Sequence, residues 1–543
     1  MGPCSLETPR PTARKPHGDG GVDGRVPDRT MQRERVSQQN DPLILAIDQG
    51  TTSSRAILFD RRGDIRGMAQ RPLVQLYPRP GWVTQDAIDL WTVTRQVSRD
   101  ALASAGIDAA RITAIGITNQ RETTILWERA TGQPVAPAIG WQSRQSAGIV
   151  DDIVGRGKAA EYQRLTGLVP DAYFSATKIA WLLDQDQGLR RRAEAGEICF
   201  GTVDSWLLWQ LSGGQVHLTD HANASRTMLF DISRLSWSQA LLDDLSIPRV
   251  MLPDLCPNAG HLADSAPDVL GAAVPITGVA GDQQAALFGQ ACFAAGQAKN
   301  TYGTGSFLLL HTGTEPKPSG HHLLTTVAWT VDGVTEYALE GAIFVTGAAV
   351  QWLRDGLGLI GDASEVEPLA ASVADTEGVV FVPALAGLGS PHWDPDARGT
   401  IVGITRGTTG AHLARATLEA IAFQGREVLD AMTEDAGVPL QELRVDGGGA
   451  RNDLLLQLQA DLLGVPVVRP TMIETTAIGA AYLAGLASGV WSDRDEIARN
   501  WKADRRFEPS ISVDERDHRF AVWSDAVSRS RGWATGLRHQ PNP

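Results

Sequence analysis

The residues with the clearest chemical potential lie in Gly278-Val-Ala-Gly-Asp-Gln-Gln-Ala-Ala-Leu-Phe-Gly289. The apolar run from Val274 to Ala280 reads as a strand, and residues able to start a helix follow Asp282. A carboxylate at a strand end faces whatever cleft the scaffold forms, so Asp282 is a candidate general base. The competing reading is structural: Asp282 caps a helix that begins at Gln283. Arg121 and Glu122 follow a second β-prone run, Ile112 to Ile117, and offer a donor beside an acceptor. In the plainer reading they are a surface ion pair worth little. Gly50, Thr51, Thr52, Ser53 and Ser54 cluster backbone N–H groups and hydroxyls next to Arg55, a composition suited to a polyphosphate, or to an ordinary Ser/Thr turn.

These groups need elements to hold them. Leu43 to Asp60 reads as a hairpin turning at Gly50, and Lys299 to His311 as another turning through Gly303 to Ser306. Two such hairpins, one opening each half of the chain, predict a duplicated architecture with a cleft between the copies. Leu443 to Leu454 reads as strand, glycine turn, then helix, a second place for negative charge. No GxxxxGK[ST] loop is present, so any nucleotide is held differently. Helical spacing runs from Ala411 to Met432, and Thr475 to Ser488 reads as a Thr-capped helix whose Gly and Ala content permits close backbone packing.

At 543 residues the chain is too long for one core, and 43% hydrophobic residues supply ample apolar surface. A net charge of −14 argues against nucleic acid or an anionic membrane as the main partner. Cys4, Cys199, Cys256 and Cys292 are too scattered for a zinc site or disulfide framework. No apolar run is long enough for membrane insertion and no secretory signal is evident, which predicts a cytoplasmic protein. Residues 1–41 read as a disordered extension, with Met31 an alternative start.

The segments Asp48-Gln-Gly-Thr-Thr-Ser-Ser-Arg55, Gly281-Asp-Gln-Gln284, Tyr302-Gly-Thr-Gly305 and Asp446-Gly-Gly448 resemble the phosphate, catalytic and adenosine motifs of the FGGY carbohydrate kinases. Asn119-Gln-Arg-Glu-Thr-Thr124, Asp171-Ala-Tyr-Phe-Ser175, Asn223-Ala-Ser-Arg-Thr-Met-Leu-Phe230 and Trp393-Asp-Pro395 are most similar to the members that phosphorylate glycerol. The resemblance covers about residues 43–525.

It implies an α/β fold of two actin-like, ribonuclease H-type domains, 42–293 and 294–543, with substrate and nucleotide in the cleft between them. It implies ATP as co-substrate, glycerol as acceptor and Asp282 as base. Arg121, Glu122, Tyr173, Asp282 and Gln283 would meet the acceptor hydroxyls, with Trp141 and Phe307 against its carbon chain. Gly50, Thr51, Thr52, Ser53 and Thr304 would face the phosphates, with Arg55 adding charge, and Gly347, Gln351, Gly448 and Asn452 would surround the rest of the nucleotide. Mg²⁺ would be held by Asp48 and Asp282 through water. A homodimer or homotetramer is implied as well. Ala172 and His392 stand where relatives commonly have proline and tyrosine, and the loop from His261 to Val274 lacks the pattern linked to sugar-bisphosphate inhibition. A pentulose or other polyol as acceptor, and an actin-like or chaperone-like ATPase, are the alternatives.

Overall fold

A computed structural model of the protein describes residues 41–536. The expected extension over 1–41 lies outside them except for Asp41, as does Cys4. The first large sheet uses β1 (Leu43–Gln49), β2 (Ser53–Asp60), β3 (Ile65–Pro72), β4 (Ile112–Asn119), β5 (Ala259–Asp264) and β6 (Pro275–Gly281), in the order β5-β6-β4-β1-β2-β3. The second uses β7 (Ala298–Tyr302), β8 (Ser306–Gly313), β9 (Leu324–Val331), β10 (Val334–Ile343), β11 (Leu443–Asp446), β12 (Val467–Pro470) and β13 (Ala503–Phe507), ordered β9-β10-β8-β7-β11-β12-β13.

One pattern is built twice. In the first sheet β1, β2 and β3 run antiparallel while β4 and β6 add in parallel beside β1. In the second, β7, β8 and β10 are the antiparallel set, and β11 and β12 add in parallel beside β7. Strands buried on both faces read as nearly continuous apolar runs, which is why β1 and β4 were legible as Leu-Ile-Leu-Ala-Ile and Ile-Thr-Ala-Ile-Gly-Ile. Both expected hairpins form, with tight turns at Gly50 and Gly303 to Gly305.

Five helices matter for the site. α1 (Ala87–Ala105) packs on β2 and β3, opened by the Asp86 carboxylate and closed by Gly106 in the left-handed conformation. The others are α2 (Asp282–Gly289), α3 (Gly347–Asp355), α4 (Gly410–Ala436) and α5 (Thr475–Ala487). α4 extends beyond the apolar repeat at both ends because Thr409 and His412 form a reciprocal capping box and Gly437 stops it. α5 corrects one expectation: Thr475 is its first helical residue and buried, and Glu474 before it makes no side-chain cap.

The close packing expected of α5 is made against α2 and the first sheet. A Cβ on Gly479 would stand 1.8 Å from the Ala285 carbonyl oxygen, and one on Gly289 would stand 2.0 Å from that of Thr475. The same helix lies over β4 and β6, where a Cβ on Gly116 would meet the Ala480 oxygen at 2.2 Å. A helix from late in the chain thus fixes the helix that begins with Asp282. Cys199, Cys256 and Cys292 are free and buried. Among the described residues, no helix is long and apolar enough to cross a membrane.

Candidate active site

β6 ends at Gly281 and α2 begins at Asp282, as the apolar run predicted. The capping position is occupied by Gly281, so Asp282 is not the cap; it sits on the first helical turn. There its Oδ1 accepts the Gln283 N–H at 2.7 Å, and the side chain keeps 30% exposure. The Arg121 Nε lies 3.1 Å from the same oxygen. Burial pushes the Asp282 carboxyl upward, while Arg121 and Lys299 pull it down and Glu340 opposes them. A raised, partly open carboxylate is suited to accept a proton.

Arg121 and Glu122 leave the end of β4 and are buried, at 3% and 1% exposure, so they are not a surface pair. Arg121 is gripped by Glu340 of β10: Nη1 donates to Oε2 at 2.5 Å and Nη2 to Oε1 at 3.0 Å. Arg226 closes the set, its Nε donating to Glu122 at 2.7 Å and its Nη2 to Glu340 at 2.9 Å. Against burial, Arg121 and Arg226 hold Glu340 down at about 2. For Glu122 burial wins over both guanidiniums, and its carboxyl is raised. Glu122 also adopts φ +60°, a left-handed conformation unusual for a glutamate, which turns the chain sharply after the strand.

Aromatic rings converge beside this polar set. Trp141 meets Tyr173 edge-on at 5.6 Å between centroids and Phe307 at 6.4 Å. The indole N–H of Trp141 donates to the Thr51 hydroxyl at 3.0 Å, joining the aromatic wall to the first hairpin turn. Gln283 is held by the buried Lys299, whose ammonium also donates to the Thr301 hydroxyl at 2.9 Å. Burial pushes Lys299 down to about 8, partly offset by Asp446 and Asp282.

The expected nucleotide residues fall into three turns. In the first, the Gly50 N–H meets the Ser53 oxygen at 3.0 Å, and Gln120 and Gln85 brace the carbonyls of Gly50 and Thr51. Thr52 is exposed there, with Thr51 and Ser53 half-buried. Arg55 stands on β2 opposite Asp48, and its guanidinium pairs with Glu474 rather than lying in the turn. In the second, exposed Thr304 is tied to the start of α3: Gly347 N–H donates to the Gly303 oxygen at 3.1 Å and Thr346 N–H to that of Thr304 at 3.0 Å. A Cβ on Gly347 would come within 2.5 Å of the Gly303 oxygen, which explains the glycine. Gln351 is exposed one turn further along α3. In the third, Gly447 has φ +83° and packs on Tyr302, leaving Gly448 exposed with open space above it. The Asn452 oxygen accepts the Leu455 N–H at 2.8 Å and so caps the next helix.

Asp48, next to last in β1, and Asp282, just past β6, stand at the same ends of the two strands that flank β4. Burial pushes Asp48 up to about 6, Arg55 opposes this, and the Asp282 charge adds to it. Among the described residues no group of three or more His, Cys, Asp and Glu side chains suits a metal. Two mutually repelling carboxylates do suit a hard cation that keeps most of its water, such as Mg²⁺.

Both halves of the chain match family models, "FGGY family of carbohydrate kinases, N-terminal domain" over residues 43–289 and the C-terminal domain of the same family over 298–488. The chain belongs to the FGGY family of carbohydrate kinases. Glycerol kinase of Dechloromonas aromatica (strain RCB) is 58% identical over 499 residues, 92% of this chain and 99% of its own length. Glycerol kinase 2 of Thermotoga maritima is 55% identical over 490 residues, covering 90% of this chain and 99% of its own. The crystal structure of Plasmodium falciparum glycerol kinase with ADP superposes with a TM-score of 0.85 at 35% identity, over 90% of this chain and 98% of that one. The twofold sheet pattern is accordingly that of a two-domain, actin-like FGGY kinase.

Sequence reasoning missed three charged residues of this candidate site: Glu340, Arg226 and Lys299. Each carried a signal, being a lone charge in a segment otherwise fit for burial: Tyr337-Ala-Leu-Glu-Gly-Ala-Ile343, Asn223-Ala-Ser-Arg-Thr-Met-Leu-Phe230 and Ala298-Lys-Asn-Thr-Tyr302.

Proposed function

We propose that the protein transfers the γ-phosphoryl group of ATP to glycerol, giving sn-glycerol 3-phosphate and ADP. The observation that carries this reading is the junction of Asp282 and Arg121, 3.1 Å apart, with aromatic rings and a turn rich in N–H groups and hydroxyls beside it. Likeness to glycerol kinases over nearly their whole length supports it.

Glycerol offers three hydroxyls and a short carbon face. Arg121, Glu122 and Tyr173 hold the non-reacting hydroxyls, and Trp141 and Phe307 cover the carbons. Asp282, next to Gln283, accepts the proton of the terminal hydroxyl as its oxygen attacks the γ-phosphorus in line. The new O–P bond forms as the bond to the β-phosphate oxygen breaks, and that electron pair leaves with ADP. Gly50, Thr51, Thr52, Ser53 and Thr304 face the phosphates, Arg55 adds positive charge near Asp48, and Gly347, Gln351, Gly448 and Asn452 border the rest of the nucleotide. Asp48 and Asp282 would hold Mg²⁺, which when bound would neutralise charge on the phosphates. Two domains, 42–293 and 294–543, close on the substrates and exclude water. We further propose a cytoplasmic reaction, the reading given by the sequence's lack of a secretory signal, and a homodimer or homotetramer, as the family resemblance implies.

The test is ADP release with Mg-ATP and no acceptor, glycerol, xylulose, ribulose or erythritol, the product being identified by mass. Strong stimulation by glycerol is expected. Stimulation by a longer sugar alone would overturn the pocket assignment, and acceptor-independent hydrolysis would overturn the kinase reading.

A further inference from the structure

Lys178 lies on the helix Ser175–Gln185 and is completely buried, yet its two hydrogen-bond acceptors are uncharged backbone carbonyls. The ammonium donates to the Glu122 oxygen at 3.1 Å and to the Tyr173 oxygen at 2.6 Å. Ser175 Oγ donates to the same Glu122 oxygen at 3.1 Å. Placing an ammonium where an apolar residue would pack costs several kcal/mol in general, so the position needs a reason beyond filling space. The two peptides it joins supply one. Glu122 sits at φ +60°, away from its preferred backbone, and Tyr173 comes from a different loop, so neither peptide is placed by regular secondary structure.

We infer that Lys178 is a positioning residue for the acceptor pocket: one buried ammonium clamps the Glu122 and Tyr173 peptides together and so sets the distance between their side chains. The inference rests on the reading of those two residues as acceptor contacts. It also gives the pocket a dependence on protonation. Burial lowers Lys178 to about 7, while the Glu122 and Asp171 carboxylates favour its charge and Arg144 opposes it. As pH rises through that range the clamp turns from ammonium to amine and its grip on two carbonyl oxygens weakens.

The test is steady-state kinetics of wild type, Lys178→Met and Lys178→Gln from about pH 6 to about pH 8.5, where the clamp loses its charge, with KM for glycerol and for ATP measured separately. Both variants are expected to raise the glycerol KM about tenfold and to leave the ATP KM within about twofold, the size expected for losing hydrogen bonds from a charged donor. In wild type the glycerol KM should climb with pH more steeply than in the variants, where it should be high already at the acid end and carry only the changes due to Asp48 and Lys299. A folded variant with the wild-type glycerol KM, or one that raises both KM values alike, would overturn the inference. Gln keeps N–H donors without the charge and serves if Met does not fold. If neither folds, the wild-type profile decides, because a glycerol KM independent of pH contradicts the clamp. Absence of any glycerol stimulation in wild type fails the functional reading instead, and the same split is then measured with whichever acceptor does stimulate.

Discussion

Arg121 and Glu340 are 219 residues apart in the chain and share two hydrogen bonds, of 2.5 Å and 3.0 Å. The arginine comes from just past a strand of the first sheet and the glutamate from inside the second, so the guanidinium that meets Asp282 is aimed by the other half of the molecule. Removing one partner of such a buried pair costs about 3 kcal/mol or more. Glu340→Gln should therefore lower kcat/KM for glycerol about a hundredfold. ADP affinity, read by calorimetry, should stay within about twofold, since the three turns are untouched.

Asp282→Asn removes the proposed proton acceptor and keeps the shape. Turnover is expected to fall by about a thousandfold, within the usual range for a general base, with ADP affinity and thermal unfolding near wild type. Near-normal turnover in this variant would exclude Asp282 as the base.

The contact of α2 with α5 is tight enough that a single methyl separates them. Gly479→Ala would place a carbon 1.8 Å from the Ala285 oxygen. The expected result in urea unfolding is a loss of about 2–3 kcal/mol, in the range of overpacking, together with lower turnover because the helix bearing Asp282 shifts. Gly148→Ala is the control: it lies in the helix Ala147–Gly155 with nothing within 4 Å of the added carbon, and should be neutral or slightly stabilising.

His217 predicts an acid-sensitive term in stability. Burial lowers it to about 4, and its Nε2 is 2.7 Å from the Phe200 oxygen. The folded form thus binds fewer protons than the unfolded chain between the ordinary histidine value of 6.5 and about 4. Stability from neutral His217 is complete above that window and is lost as pH falls through it. The gap in melting temperature between wild type and His217→Gln should narrow over this window; a constant gap would count against the assignment.

Local pattern carried most of this architecture. β1, β4 and β6 are apolar runs because they are buried, and the Gly-rich hairpin turns and the placement of Asp282 at a strand end follow from turn chemistry. What local pattern could not contain is the pairing of distant charges. Nothing near Glu340 in sequence reveals that Arg121 and Arg226 will meet it, and the isolated Arg121-Glu122 dipeptide reads as an exposed ion pair until burial is known. Helix ends behaved similarly. Glu474 proved to be the partner of Arg55 rather than part of a Thr-capped start to α5, since a cross-chain ion pair leaves no trace in spacing.

The four buried groups Arg121, Arg226, Glu122 and Glu340 make a closed set of two positive and two negative charges. Each charge in the set has an opposite partner, and beyond it stand Asp282 and Asp48, with Arg121 and Lys299 acting on the first and Arg55 on the second. An uncharged triol enters such a place without leaving an ion unpaired. A carboxylic acid in the same place would find both guanidiniums already taken by Glu122 and Glu340 and a third carboxylate, Asp282, beside it. On the proposed reading, the set that orients the acceptor therefore also sorts it by charge.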